Sequence, residues 1–78
     1  MEISASVQHY RATLRRCRRD REWSQLELAK RAGMNVNTIR RFESGDREPR
    51  VGQLVALAEA LEVPAHEFLP DTTKGRKS

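Results

Sequence analysis

The side chains best suited to hydrogen-bonding chemistry lie close together in VNTIRRFES, residues 36–44. If that stretch is helical, at about 100° per residue Val36, Asn37, Arg40, Arg41 and Ser44 fall on one arc, with Thr38, Ile39 and Phe42 opposite. Ile39 and Phe42 are then the anchors to a core. The outer arc carries one amide, two guanidinium groups, a hydroxyl and a small apolar group. A face made only for water more often mixes Glu, Lys and Gln, so this set suits the base edges and methyl groups of a DNA major groove. Read plainly, it is also a solvated basic helix face. No nucleophile, base and orienting group can be assembled anywhere in the chain, and there is no glycine-rich phosphate loop, so an enzyme is not expected. The single cysteine, Cys17, and the two separated histidines, His9 and His66, offer no metal-ligand spacing, and no cofactor is expected.

Local signals place this arc on the second of two helices. Ser24 with Glu27 three residues on is a capping box, and Trp23 with Leu28 supplies the matching hydrophobic staple. That helix carries Leu28, Ala29 and Ala32 on one face until Gly33, which can take the left-handed conformation that ends a helix. Asn35 is a good N-cap for the next helix, Met34 with Ile39 repeats the staple, and Gly45 is a second stop. The expected unit is helix, tight turn, helix.

Ser24-Gln25, Leu28-Ala29, Gly33, Ile39, Glu43-Ser44-Gly45, Pro49 and LVALAEALEVPAHEFL together resemble the Cro/C1-type, lambda-repressor-like helix-turn-helix domains of phage repressors and small bacterial regulators, from about Leu14 to Leu69. The resemblance implies an all-α, five-helix domain that binds double-stranded DNA. It further implies base reading by Val36, Asn37 and Arg41, with Arg40 beside them: Asn37 on adenine, Arg41 on guanine O6 and N7, Val36 on a thymine methyl. Ser24 and Gln25, at the positive end of their helix, would hold the phosphate backbone. Thr38, Ser44, Arg47 and Arg50 are the other candidate phosphate contacts, though an exposed loop would carry Arg47 and Arg50 equally well. An Arg18–Glu43 ion pair is implied between the first helix and the end of the recognition helix. The sequence departs from the pattern at Glu22, where glycine is frequent, and at Arg50, where a serine cap is common.

The remaining chain is read around that unit. Its 78 residues allow one domain with a modest core, and nothing resembles a signal peptide or an apolar span, so a cytoplasmic protein is expected. The net charge of +4 is unevenly placed: residues 9–22 hold six Arg against Asp20 and Glu22, while residues 51–73 hold four acids and no Lys or Arg. A polyanion would approach the first two-thirds of the chain. Residues 1–6 are expected to be a flexible N-terminus, with Ser6 capping a first helix whose buried stripe is Val7, Tyr10, Leu14 and Cys17. The domain is expected over residues 7–70, including a fourth helix, Val51 to Leu61, with stripe Leu54, Leu57, Ala58 and Leu61. After Pro64 a short fifth helix spans about Ala65 to Leu69, and residues 71–78 form a basic tail. Most arginines of the first helix are expected to face solvent or phosphate. The functional expectation is a small dimeric repressor or controller protein on a palindromic operator, its dimer formed through Val63, Phe68 and Leu69 and its regulation set by concentration. The alternative is a protein-interaction module, such as the antitoxin that grips a toxin.

Overall fold

The computed structural model describes residues 5–68, with side chains from Gln8 onward. Four α-helices follow one another, α1 (Ala5–Asp20), α2 (Gln25–Ala32), α3 (Val36–Ser44) and α4 (Val51–Leu61), and a 3-10 turn closes the series at Ala65–Phe68. There is no strand among the described residues. None of the described helices is long and apolar enough to cross a membrane.

Helix α1 already includes Ala5 and Ser6, so Ser6 lies inside the helix and does not cap it. Ala5 is among the best helix formers, and nothing at that point breaks the backbone. Tyr10, Leu14 and Cys17 form the buried stripe, while the side chain of Val7 falls outside the described set. The helix ends when Glu22 turns left-handed at φ 58°. The Trp23 N–H then reaches back to the Arg18 carbonyl at 3.2 Å, and Arg21 Nη1 donates to the Cys17 carbonyl at 2.9 Å. Glu22, where the family resemblance implied glycine, thus accepts roughly 1 kcal/mol of backbone strain.

At the head of α2, Ser24 Oγ accepts from the Glu27 N–H at 3.0 Å. Glu27 turns its carboxylate to Arg31 Nε at 2.7 Å, so only the serine half of the capping box is formed. In α4, Arg50 takes the cap position without a side-chain cap, and Gln53 Oε1 accepts the Arg50 N–H at 2.9 Å instead.

The core joins Tyr10, Leu14 and Cys17 of α1, Leu28 and Ala29 of α2, Ile39 and Phe42 of α3, Leu57, Ala58 and Leu61 of α4, and Phe68. Each fully buried large side chain contributes about 1.5–3 kcal/mol through removal from water. Leu54, expected in the core stripe, is half-buried against this cluster.

The expected fifth helix is present only as a 3-10 turn. Pro64 has no N–H to donate, and the Glu67 N–H bonds back to the Pro64 carbonyl at 3.0 Å, an i to i+3 closure. The turn docks on α1 through His9 Nε2, 3.0 Å from the Glu67 carbonyl and therefore the donor, and through Arg16 Nη2, 3.5 Å from Glu67 Oε1. This corrects the expected dimer surface. Phe68 is 1% exposed and belongs to the core of its own chain, Val63 packs half-buried on that core, and Leu69 lies outside the described residues. The basic tail, 71–78, also lies outside them.

Candidate nucleic-acid interface

The turn between α2 and α3 is set by Gly33 at φ 69°, whose N–H bonds to the Lys30 carbonyl at 3.3 Å while the Met34 N–H bonds to Ala29 at 2.8 Å. Asn35 then caps α3, its Oδ1 accepting from the Asn37 N–H at 2.7 Å. Because Ile39 and Phe42 are fully buried, the helix is fixed in rotation and turns Asn37, Arg40, Arg41 and Ser44 to water. Gln25, Asn37, Arg40, Arg41 and Ser44 line an open groove of about 580 Å³, together with Arg15 of α1, the edge of Glu43 and, beyond the end of α3, Asp46. Val36 does not join them. It is half-buried and packs on the core.

Glu43 ties this helix to the rest of the chain. Its carboxylate is 3% exposed and accepts from Arg18 Nε at 2.7 Å, Arg18 Nη2 at 2.9 Å and Gln25 Nε2 at 3.1 Å. The Arg18 guanidinium is held above its ordinary pKa, chiefly by the hydrogen bond to Glu43, with desolvation opposing. The backbone adds further ties to α1: the Glu43 carbonyl accepts from Arg11 Nε at 3.1 Å and Arg15 Nη2 at 3.2 Å. Two cations thus satisfy a carbonyl at the negative end of α3. Arg11 and Arg15, expected in solvent or on phosphate, act here as inter-helix ties. Four-residue spacing on α1 aligns them with each other, but only the packing of α1 on α3 shows what they meet.

The candidate phosphate contacts divide by position. Ser24 is exposed at the head of α2, and Gln25 next to it lines the groove and donates through its amide to Glu43. Ser44 is part of a local turn, donating to the Arg41 carbonyl at 3.1 Å and accepting from the Asp46 N–H at 3.3 Å. Thr38 is half-buried. Arg47 and Arg50 are exposed in the loop after α3, outside the groove lining. The backbone of Arg47 is held at both ends, its N–H on the Arg41 carbonyl at 3.3 Å and its carbonyl on the Tyr10 hydroxyl. Burial, with the charge of Glu48 adding to it, pushes the Tyr10 phenol up, which keeps this donor protonated.

Trp23 is half-buried against the core, with the Arg31 guanidinium 4.2 Å and that of Arg21 6.0 Å from its ring centre. No three His, Cys, Asp or Glu among the described residues are grouped to hold a metal ion. The arrangement offers N–H donors on an exposed helix face beside a helix N-terminus, which is chemistry for a surface rich in acceptors and negative charge.

The helix-turn-helix family model matches residues 14–68. The chain is also similar to the "Uncharacterized HTH-type transcriptional regulator y4dL" of Sinorhizobium fredii, with 38% identity over 61 residues, or 78% of this chain. It spans 31% of that protein's length. No solved structure matches. With a two-helix unit turned at Gly33 and a family match that begins in α1 and ends at Phe68, the chain belongs to the Cro/C1-type helix-turn-helix family of DNA-binding transcription regulators.

Proposed function

We propose that the chain reads a specific DNA sequence as a small dimeric repressor or controller on a palindromic operator, in the cytoplasm, with α3 in the major groove. The observation that carries this reading is the division of α3. Ile39, Phe42 and Glu43 are locked into the domain, while Asn37, Arg40 and Arg41 stand exposed on the groove. Arg41 and its neighbours would meet base edges. Ser24, the end of α2, and Arg47 would hold phosphates on either side, Arg47 from a loop whose backbone Tyr10 fixes. The groove side of Gln25 supports the same role, while half-buried Thr38 and turn-engaged Ser44 have less reach, and Arg50 lies farther along the loop.

A second copy would double the number of bases read, and two-fold symmetry would place half-sites about 34 Å apart. Val51 and Val55, a helical turn apart on α4, are exposed apolar residues available to it. Arg50 precedes them and Glu59 follows, so an antiparallel copy would meet opposite charge at each end.

A salt titration on a selected site and on random DNA tests the reading. Arg41→Ala should lose about 1–3 kcal/mol on the selected site and almost nothing on random DNA. Arg47→Ala should weaken both together and reduce the salt slope by about one unit. If Asn37 and Arg41 were silent on every duplex recovered by selection, that face would serve a protein partner such as a toxin.

A further inference from the structure

Asparagine reads adenine with two groups at once, its carbonyl accepting from N6–H and its amide donating to N7. In this chain the carbonyl is already engaged: Arg40 Nη1 donates to Asn37 Oδ1 at 2.6 Å, one turn along α3. The remaining lone pair of that oxygen lies beside a guanidinium, whose charge repels the positive hydrogen of an approaching adenine or cytosine amino group. What Asn37 can still offer is its two amide N–H groups.

The rest of the outward face has the same polarity. Arg40 and Arg41 are donors with no acceptor. The Ser44 hydroxyl both donates and accepts within its own turn. Glu43, the carboxylate of α3, is 2% exposed and turned inward to Arg18. The side chains of α3 that remain open to the groove, Asn37, Arg40 and Arg41, therefore present N–H donors, and the exposed carboxylate on the groove, Asp46, lies beyond the end of the helix. In the major groove the matching surface is guanine, which places two acceptors, O6 and N7, side by side, whereas adenine N6 and cytosine N4 present hydrogens.

Resting on the DNA-reading proposal above, we infer that Arg40 is a specificity-determining residue: it holds Asn37 as a donor, so that the Asn37–Arg40 pair reads one guanine of the half-site and Arg41 a second. This replaces the adenine contact that family resemblance implies for Asn37. Arg40 acts both through its own free N–H groups and by fixing which end of the amide faces the base.

The test is selection of bound duplexes from random DNA by the full chain and by Arg40→Met, which keeps the stem and removes the guanidinium. Arg40 is exposed and away from the core, so the variant folds. The unaltered chain should recover half-sites with two guanines, and replacing either by 7-deazaguanine should weaken binding roughly tenfold. Arg40→Met frees the Asn37 carbonyl and should exchange one of the two guanines for adenine while keeping the other. Adenine at that place in sites chosen by the unaltered chain, or an Arg40→Met chain that selects the same sequence, overturns the inference and leaves DNA reading intact. Recovery of no shared sequence by the unaltered chain overturns DNA reading itself, and this inference with it.

Discussion

Replacing Arg18 with methionine should destabilise the domain more than replacing Arg18 and Glu43 together. The Glu43 carboxylate is 3% exposed, and Arg18 supplies two of its three close donors, at 2.7 and 2.9 Å. Without Arg18 it keeps Gln25 at 3.1 Å and has Arg15 Nε at 3.9 Å. Stranding a buried charge costs about 3–5 kcal/mol. Half-exposed Arg15 can swing inward, which places the expected loss near the lower end, about 3 kcal/mol. A chain of this size has roughly 4–12 kcal/mol in total, at 0.05–0.15 per residue, so the single variant unfolds much more readily. Glu43→Leu in the same chain removes the stranded charge. Urea unfolding of the four chains, followed by helical circular dichroism, gives the coupling energy, expected at about 2 kcal/mol or more. A coupling below about 1 kcal/mol, the level of exposed pairs, would place this carboxylate in water and refute the argument.

Two glycines should respond differently to alanine. Both are left-handed, but a Cβ on Gly33 meets nothing within 4 Å, while one on Gly45 meets Arg11 Cδ at 3.1 Å and Nε at 3.2 Å. Gly33→Ala should cost about 1–2 kcal/mol from backbone strain alone, and Gly45→Ala more, because it also displaces Arg11 from the Glu43 carbonyl; equal melting shifts would contradict this. Tyr10, the one tyrosine, has a phenol raised above 10.0 by burial and by Glu48. Folding therefore favours its protonated form, so its contribution is complete below about pH 10 and is lost as pH rises through the raised value. Phenolate absorbance should show a higher midpoint in the native chain than in urea, and a native midpoint at or below the unfolded one would dispose of the buried hydroxyl. Leu57→Ala should cost about 2–5 kcal/mol as a core truncation, read from the urea midpoint; a loss under 1 kcal/mol would mean that α4 does not close the core.

The caps and stops of α2 and α3 were legible in the sequence because they are local, whereas Ser6 proved to lie inside α1. Ser24, Gly33, Asn35 and Gly45 each act on backbone groups within a few residues, and each sits where its type suggests. The departure at Glu22 was legible as a departure, but only the backbone shows that Glu22 itself is left-handed. Of the contacts across helices, the Arg18–Glu43 pair was expected, from family resemblance and not from any local signal, and it is present; the others were not expected. Arg11 and Arg15 meet a carbonyl some thirty positions away, a partner set by how α1 crosses α3, which no period in α1 encodes. Phe68 shows the limit of hydrophobic pattern, since an apolar residue near an end can face its own core or a second chain with the same spacing. The Asn37–Arg40 contact lies at i, i+3, where helical neighbours meet, so its signal was available in the sequence.

Asn37, Arg40 and Arg41 hold their side chains clear of the core, whereas everything that orients α3 enters from its other side, through Ile39, Phe42 and Glu43. Surface substitutions away from buried networks usually alter stability by no more than about 0.5 kcal/mol. The face can therefore be rewritten without renegotiating the fold. A library randomised at these three positions should yield mostly folded members with new target preferences. On the DNA-reading proposal, the same separation would let a duplicated copy change its target one residue at a time while its chassis stays constant.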